Sequence, residues 1–302
     1  MADITFERHS GMVLTGYRRG LALTAAGTLF ASFEGLLVRL VSADSWTVIF
    51  WRGVLLGIAM MLFMAWSRQS LVGLSRAGWI AVAAYACNVC FFISAINTTT
   101  VANTLVIASA APLFAAAIAW AALRERPDKE TWIAVLVVFV GLAVIFSGSL
   151  SAGRMTGDLL ALGYSVALAA YFVSLQRCPE AQVPSIVAIG GVLSGLVAWP
   201  FAGDIVVAAG DLWPLLLLGL VVVPAATLML SFGPQFMPGS HVTLIMLLEI
   251  LLGPLWVWMM FRETPSTTTV LGGALVLTTI VAHSWLTARR ASRKAVAAST
   301  GS

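Results

Sequence analysis

Five stretches of this 302-residue chain contain no Lys, Arg, Asp or Glu: 77–123, 131–153, 181–203, 212–248 and 264–288. A hydrocarbon core about 30 Å thick is crossed by roughly 20 apolar residues rising about 1.5 Å each. Every one of these stretches is therefore long enough to span a bilayer. The composition agrees, with 60% hydrophobic and 10% charged residues, against about 25% charged in soluble domains. A soluble enzyme is excluded.

Polar and helix-breaking clusters divide the long runs. Asn97-Thr98-Thr99-Thr100 splits the first, and Gly233-Pro234 through Pro238-Gly239 splits the fourth, because Pro and Gly punctuate helices. Ten transmembrane segments result: 19–41, 46–67, 77–96, 101–123, 131–148, 158–176, 183–202, 212–232, 240–261 and 266–287. With the N-terminus inside, thirteen of the seventeen basic residues fall on inner segments, leaving Arg39, Arg52, Arg154 and Arg262 outside or in outer helix halves. Basic flanks are retained on the cytoplasmic face, so both termini are expected there. Arg18-Arg19 before an apolar run is read as the flank of a retained first helix, not an export signal, since no small-residue cleavage site follows.

The pI near 9.3 reflects these membrane-flanking charges, so a bilayer and not nucleic acid is the expected partner. Cys87, Cys90 and Cys178 lie in or beside apolar runs and form neither a disulfide framework nor a zinc spacing. Cys87-x-x-Cys90 is read as helix packing, and neither metal nor cofactor is expected.

Self-similarity organises the chain. Leu123-Arg124-Glu125-Arg126-Pro127 is echoed by Phe261-Arg262-Glu263-Thr264-Pro265 at an offset of 138, and the same offset carries Gly53-x-x-x-Gly57 onto Gly191-x-x-x-Gly195. Five helices per copy is odd, so the second copy enters from the opposite side. The expected division is an N-terminal segment 1–18, a first repeat 19–148, a periplasmic linker 149–157, a second repeat 158–287 and a basic tail 288–302. The fold class is all-α and polytopic, with two inverted five-helix repeats. Exchange of their conformations gives alternating access. Whether the paired glycines pack within one chain or between two is open, as is the choice between a monomer and a weak homodimer.

Ionisable groups near mid-bilayer cost several kcal/mol unless paired or hydrated, and so are functional candidates. Glu34 and Arg52 lie at similar depths and can pair, so a structural salt bridge is placed ahead of a substrate role for Arg52. Glu249 lies near the middle of the ninth segment with no partner at equal depth and is read as facing a wet cavity; His241 lies near the inner end of that segment. Tyr85 and Asn88 sit one turn apart on the third segment, Asn103 enters the fourth, and Tyr164 and Tyr171 are seven apart on the sixth. With Glu249 they suit a small amphipathic solute bearing an ammonium group. Trp256 and Trp258 point different ways, so at most one faces inward.

Enzyme chemistry lacks its groups. The aspartates lie at segment ends, His241 and Glu249 stand about 12 Å apart along one helix, and no His-Glu-x-x-His occurs. Neither lysine, Lys129 or Lys294, follows the glycine of a phosphate-binding loop, so the chain is not itself an ATP-driven pump.

Ten spans, the five-helix inverted repeat, and Pro112 followed thirteen residues later by Glu125 in Leu-Arg-Glu-Arg-Pro resemble the EamA-like branch of the drug/metabolite transporter superfamily. Glu263 keeps the acidic position in the second copy, while Ile250 stands where the family usually has proline, with Pro254 one turn later. Arg52 in Phe50-Trp51-Arg52-Gly53 and Arg39 match its basic positions. The resemblance implies a carrier of the bacterial inner membrane with a central cavity, similar to exporters of aromatic amino acids, with an amino acid as its small-molecule partner and another small metabolite or drug as the alternative. Carried over by position, Phe30, Asn88, Ala111, Leu168, Met246 and Glu249 would face that cavity. Together with Glu34, Tyr85, Asn103, Tyr171 and His241 they form the expected substrate-binding set.

Overall fold

The computed structural model describes residues 18–69, 71, 73–123, 129–203, 205–232 and 245–300. His241 and the segment Arg124 to Asp128 of the repeated motif lie outside the described residues, as do the first seventeen residues. Eight described helices are long and apolar enough to cross a membrane: α1 (Arg18–Leu40), α2 (Ser45–Trp66), α3 (Arg76–Thr98), α4 (Val101–Ala121), α5 (Lys129–Leu150), α6 (Met155–Leu175), α7 (Glu180–Phe201) and α8 (Ala209–Phe232). Two shorter apolar helices follow, α9 (Leu248–Phe261) and α10 (Thr267–His283). The protein is thus a polytopic membrane protein, all-α with ten helices among the described residues.

Local chemistry sets the starts of α2, α3 and α4. Asp44 accepts from the backbone N–H groups of Trp46 (2.9 Å) and Thr47 (3.2 Å), Ser75 from Gly78 (3.1 Å) and Thr100 from Asn103 (3.0 Å), so side chains satisfy amides that have no intrahelical acceptor. Against the upward push of partial burial, the Thr47 hydroxyl and these two amides hold the Asp44 carboxyl below its usual range.

The interruptions are equally local. The helical run of α4 breaks at Ser109 and Ala110, just before Pro112, whose ring clashes with the carbonyl four residues back. In α8 the chain opens into one π turn at Leu218–Val222, immediately before Pro224. α1 breaks at Phe33, whose N–H bonds Phe30 O at 3.1 Å. The expected linker 149–157 shrinks to a turn over 152–154, since α6 already opens at Met155. Helix continues from Thr267 to Thr300, through the expected tail.

The two repeats meet on their own related positions. A Cβ on Gly53 of α2 would collide with the Gly191 carbonyl oxygen of α7 and come within 2.8 Å of Gly195 N. Residues 138 apart touching each other is what a two-fold axis through the α2–α7 crossing requires, and the glycines pack within one chain. α5 and α10 make the other such crossing, where a Cβ on Gly272 would lie 2.6 Å from Gly141 O. Around these two crossings the contacts come in related pairs: α3 packs on α6 as α8 does on α1, α3 on α7 as α8 on α2, and α4 on α6 as α9 on α1. Five helices per repeat make the related copies oppositely inserted. Small residues at the crossings let backbones approach, which is how apolar helices associate where lipid is as apolar as their side chains.

Candidate functional site

Between the halves lies a group of charges that lipid cannot solvate. Arg52 Nη2 donates to Glu34 Oε1 at 2.5 Å, joining α2 to α1 just beyond the break at Phe33. Their side chains are 5% and 14% exposed, which is the pairing expected from their depths. Only one arm of the guanidinium is used, since Nε and Nη1 are buried without a hydrogen-bond partner.

Further groups converge on this pair. The Tyr85 side chain of α3 lies within electrostatic reach of Arg52 and Glu34 and in loose polar contact with Arg52 and with Thr227 of α8, and its buried hydroxyl makes no hydrogen bond of normal geometry. Tyr164 of α6 packs on Phe92 with ring centroids 4.8 Å apart and interacts electrostatically with Glu249, Glu34, Arg52 and Tyr85. Glu249 of α9 is half-buried and within reach of Glu34; among the described residues its carboxylate has no hydrogen bond or ion pair. Helices from both repeats therefore contribute: α1, α2 and α3 from the first, α6, α8 and α9 from the second.

Aromatic contacts hold the frame. Trp256 of α9 stacks on Phe33 (5.0 Å, 11°) and its Nε1 donates to Ser32 Oγ at 3.0 Å, fastening α9 to the break in α1. Trp258 is 41% exposed with the Arg262 guanidinium 5.8 Å from its ring, so Trp256 is the inward one. Tyr85 and Tyr171 rings lie 5.3 Å apart, and the Tyr171 hydroxyl is buried and unpartnered.

The other expected site residues divide. Phe30, Asn88, Leu168 and Met246 are half-buried, on α1, α3, α6 and the turn of helix before α9, and Ala111 is buried beside the break in α4. Asn103 is engaged elsewhere. Its Nδ2 donates to Ser149 Oγ (2.9 Å) and Asp158 Oδ1 (3.1 Å), and its Oδ1 accepts from Thr269 Oγ1 (2.5 Å). Thr99 Oγ1 adds a 2.7 Å bond to the fully buried Asp158. This polar knot ties together the ends of α3, α4, α5, α6 and α10 at the end of the bundle where α1 joins α2. Arg39 fastens α1 to the same end, donating to Thr99 O at 2.7 Å and pairing with Glu263 at 3.3 Å. The amide of Asn103 is saturated by protein, which fits a structural knot and not the substrate contact expected from sequence. Sequence reasoning also missed Asp158, whose burial arises only when five helix ends meet, and Thr227, a hydroxyl with no pattern to mark it.

Comparisons with known proteins agree with this architecture. Residues 18–147 match the model of the EamA-like transporter family. The chain is 26% identical over 234 residues to a Bacillus subtilis (strain 168) protein described as "Uncharacterized transporter YwfM", covering 74% of this chain and 79% of that one. It is 24% identical over 269 residues to an "Uncharacterized transporter" of Archaeoglobus fulgidus, covering 86% and 94%. A crystal structure with 17% sequence identity superimposes with a TM-score of 0.64 over 90% of this chain and 98% of that one, a likeness of fold. The first repeat is thus similar to the EamA-like transporter family, and the relatives that span both repeats are described as transporters.

Proposed function

We propose that the protein is a carrier that exports amino acids, aromatic and other neutral or hydrophobic ones, across a bacterial inner membrane by alternating access. The observation that carries this reading is the convergence of Glu34, Arg52, Tyr85, Tyr164 and Glu249, from both repeats, on the junction between them. A zwitterion with an apolar side chain matches that chemistry: a cationic end for the Glu249 carboxylate, an anionic end for the guanidinium region, and aromatic faces for the remainder. Two inverted repeats supply the motion, since exchanging their conformations moves the opening of a central site from one face to the other. The excess of basic residues on inner segments supports cytoplasmic termini.

The test is a panel of radiolabelled amino acids, sugars and cationic drugs offered to the purified protein in vesicles. Saturable uptake of phenylalanine and other hydrophobic amino acids, competed among themselves and not by sugars, is the expected result. Uptake confined to a drug or sugar contradicts the substrate assignment while leaving the carrier fold untouched.

A further inference from the structure

The charged centre has an excess of buried hydrogen-bond donors. Arg52 Nε, Arg52 Nη1 and the Tyr85 hydroxyl are all enclosed and none makes a hydrogen bond of normal geometry, although Tyr85 stands in looser polar contact with Arg52 and Thr227. Buried polar groups are nearly always paired, and a specific exception calls for an acceptor that the protein itself does not supply. The nearby carboxylates do not fill the gap: Glu34 accepts only from Nη2, and Glu249 has no bond to any described group. Glu34 instead fixes the guanidinium in place and leaves its other donors free.

We infer that Arg52 and Tyr85 form the subsite that receives the carboxylate of the transported molecule, with Thr227 of α8 beside Tyr85. This rests on the amino-acid reading above and deepens it, because it assigns the two ends of the zwitterion to different groups. The carboxylate goes to Arg52 and Tyr85. The ammonium goes toward Glu249 and Glu34, which lie within each other's reach, as adjacent charges on one α-carbon require. The salt bridge with Glu34 is then a holder for a working guanidinium as well as a structural tie. A charge-assisted bond from Arg to a carboxylate is among the stronger and more directional contacts available.

The experiment competes radiolabelled phenylalanine uptake in proteoliposomes with unlabelled phenylalanine, phenylalanine amide and phenethylamine. Removing the carboxylate is expected to weaken competition about 10- to 100-fold, the worth of a hydrogen bond to a charged group. Tyr85→Phe, which deletes one hydroxyl and keeps the ring that packs on Tyr171, is expected to weaken phenylalanine relative to phenethylamine. Equal competition by all three compounds in the wild-type protein overturns the subsite alone, as does a Tyr85→Phe variant that weakens phenylalanine and phenethylamine equally. Absence of saturable phenylalanine uptake by wild-type protein overturns the amino-acid reading and takes the subsite with it.

Discussion

Glu34 and Glu249 are carboxylates within reach of each other, but only Glu34 also holds Arg52, and substitution separates them. Glu34→Gln leaves the enclosed Arg52 without its counter-charge, and breaking a buried pair costs about 3–5 kcal/mol. Loss of monodisperse protein in detergent, or a markedly lower thermal midpoint, is the expected outcome. Glu249→Gln alters a carboxyl group that has no partner among the described residues, so folding and insertion are expected to survive. Phenylalanine uptake is expected to fall about tenfold or more, the value of a contact to a charged group. Wild-type transport by Glu249→Gln removes that residue from the pathway. The sequence made the Glu34–Arg52 pair legible because two charges at matching depths on successive helices have few other choices. Asn103 and Asp158 were not legible in the same way. Their partners Thr99, Ser149 and Thr269 are hydroxyls scattered over 171 positions, from 99 to 269, and hydroxyls in apolar helices carry no signal of which neighbour they meet.

Helices associate here through two devices, close glycine crossings and the polar knot. Any side chain on Gly53 strikes backbone of α7, which cannot retract as a flexible side chain would. Gly53→Val is therefore expected to abolish accumulation of folded protein, while Gly73→Ala, with nothing within 4 Å of the new Cβ, is expected to be neutral. Equal behaviour of the two variants in expression and size-exclusion assays contradicts the α2–α7 contact. In the knot, Asn103→Leu deletes bonds to α5, α6 and α10 together and leaves Asp158 with Thr99 as its remaining side-chain donor. Interhelical hydrogen bonds in membranes average about 0.6 kcal/mol and reach about 1.7. The combined loss is expected to be about 1–3 kcal/mol, read as a lower thermal midpoint in detergent with substrate affinity intact. The glycine motif could be read from spacing alone. Its partner could not, because GxxxG permits close approach without naming the helix that approaches, and only the shared offset of 138 residues pointed from α2 to α7.

At the scale of the molecule, the repeat relates more than the glycines. Arg39 and Glu263, which pair at one end of the bundle, have counterparts 138 residues away in Arg177 and Glu125, the latter outside the described residues. The ten helices followed from hydropathy, since span length is set by bilayer thickness, and their grouping into two repeats from the shared offset. Helix breaks were less legible: Pro112 and the π turn before Pro224 have a proline to announce them, whereas the break at Phe33 has none. In the proposed carrier, one enclosed polar centre shared by two inverted repeats serves both faces of the membrane in turn. Exchange measures this most directly, using vesicles preloaded with radiolabelled phenylalanine and diluted into buffer with or without unlabelled phenylalanine. Efflux accelerated by external phenylalanine, saturably, and lost in Glu249→Gln, is the expected result. Efflux that is linear in concentration and indifferent to phenylalanine on the far side would describe an open pore and contradict the account.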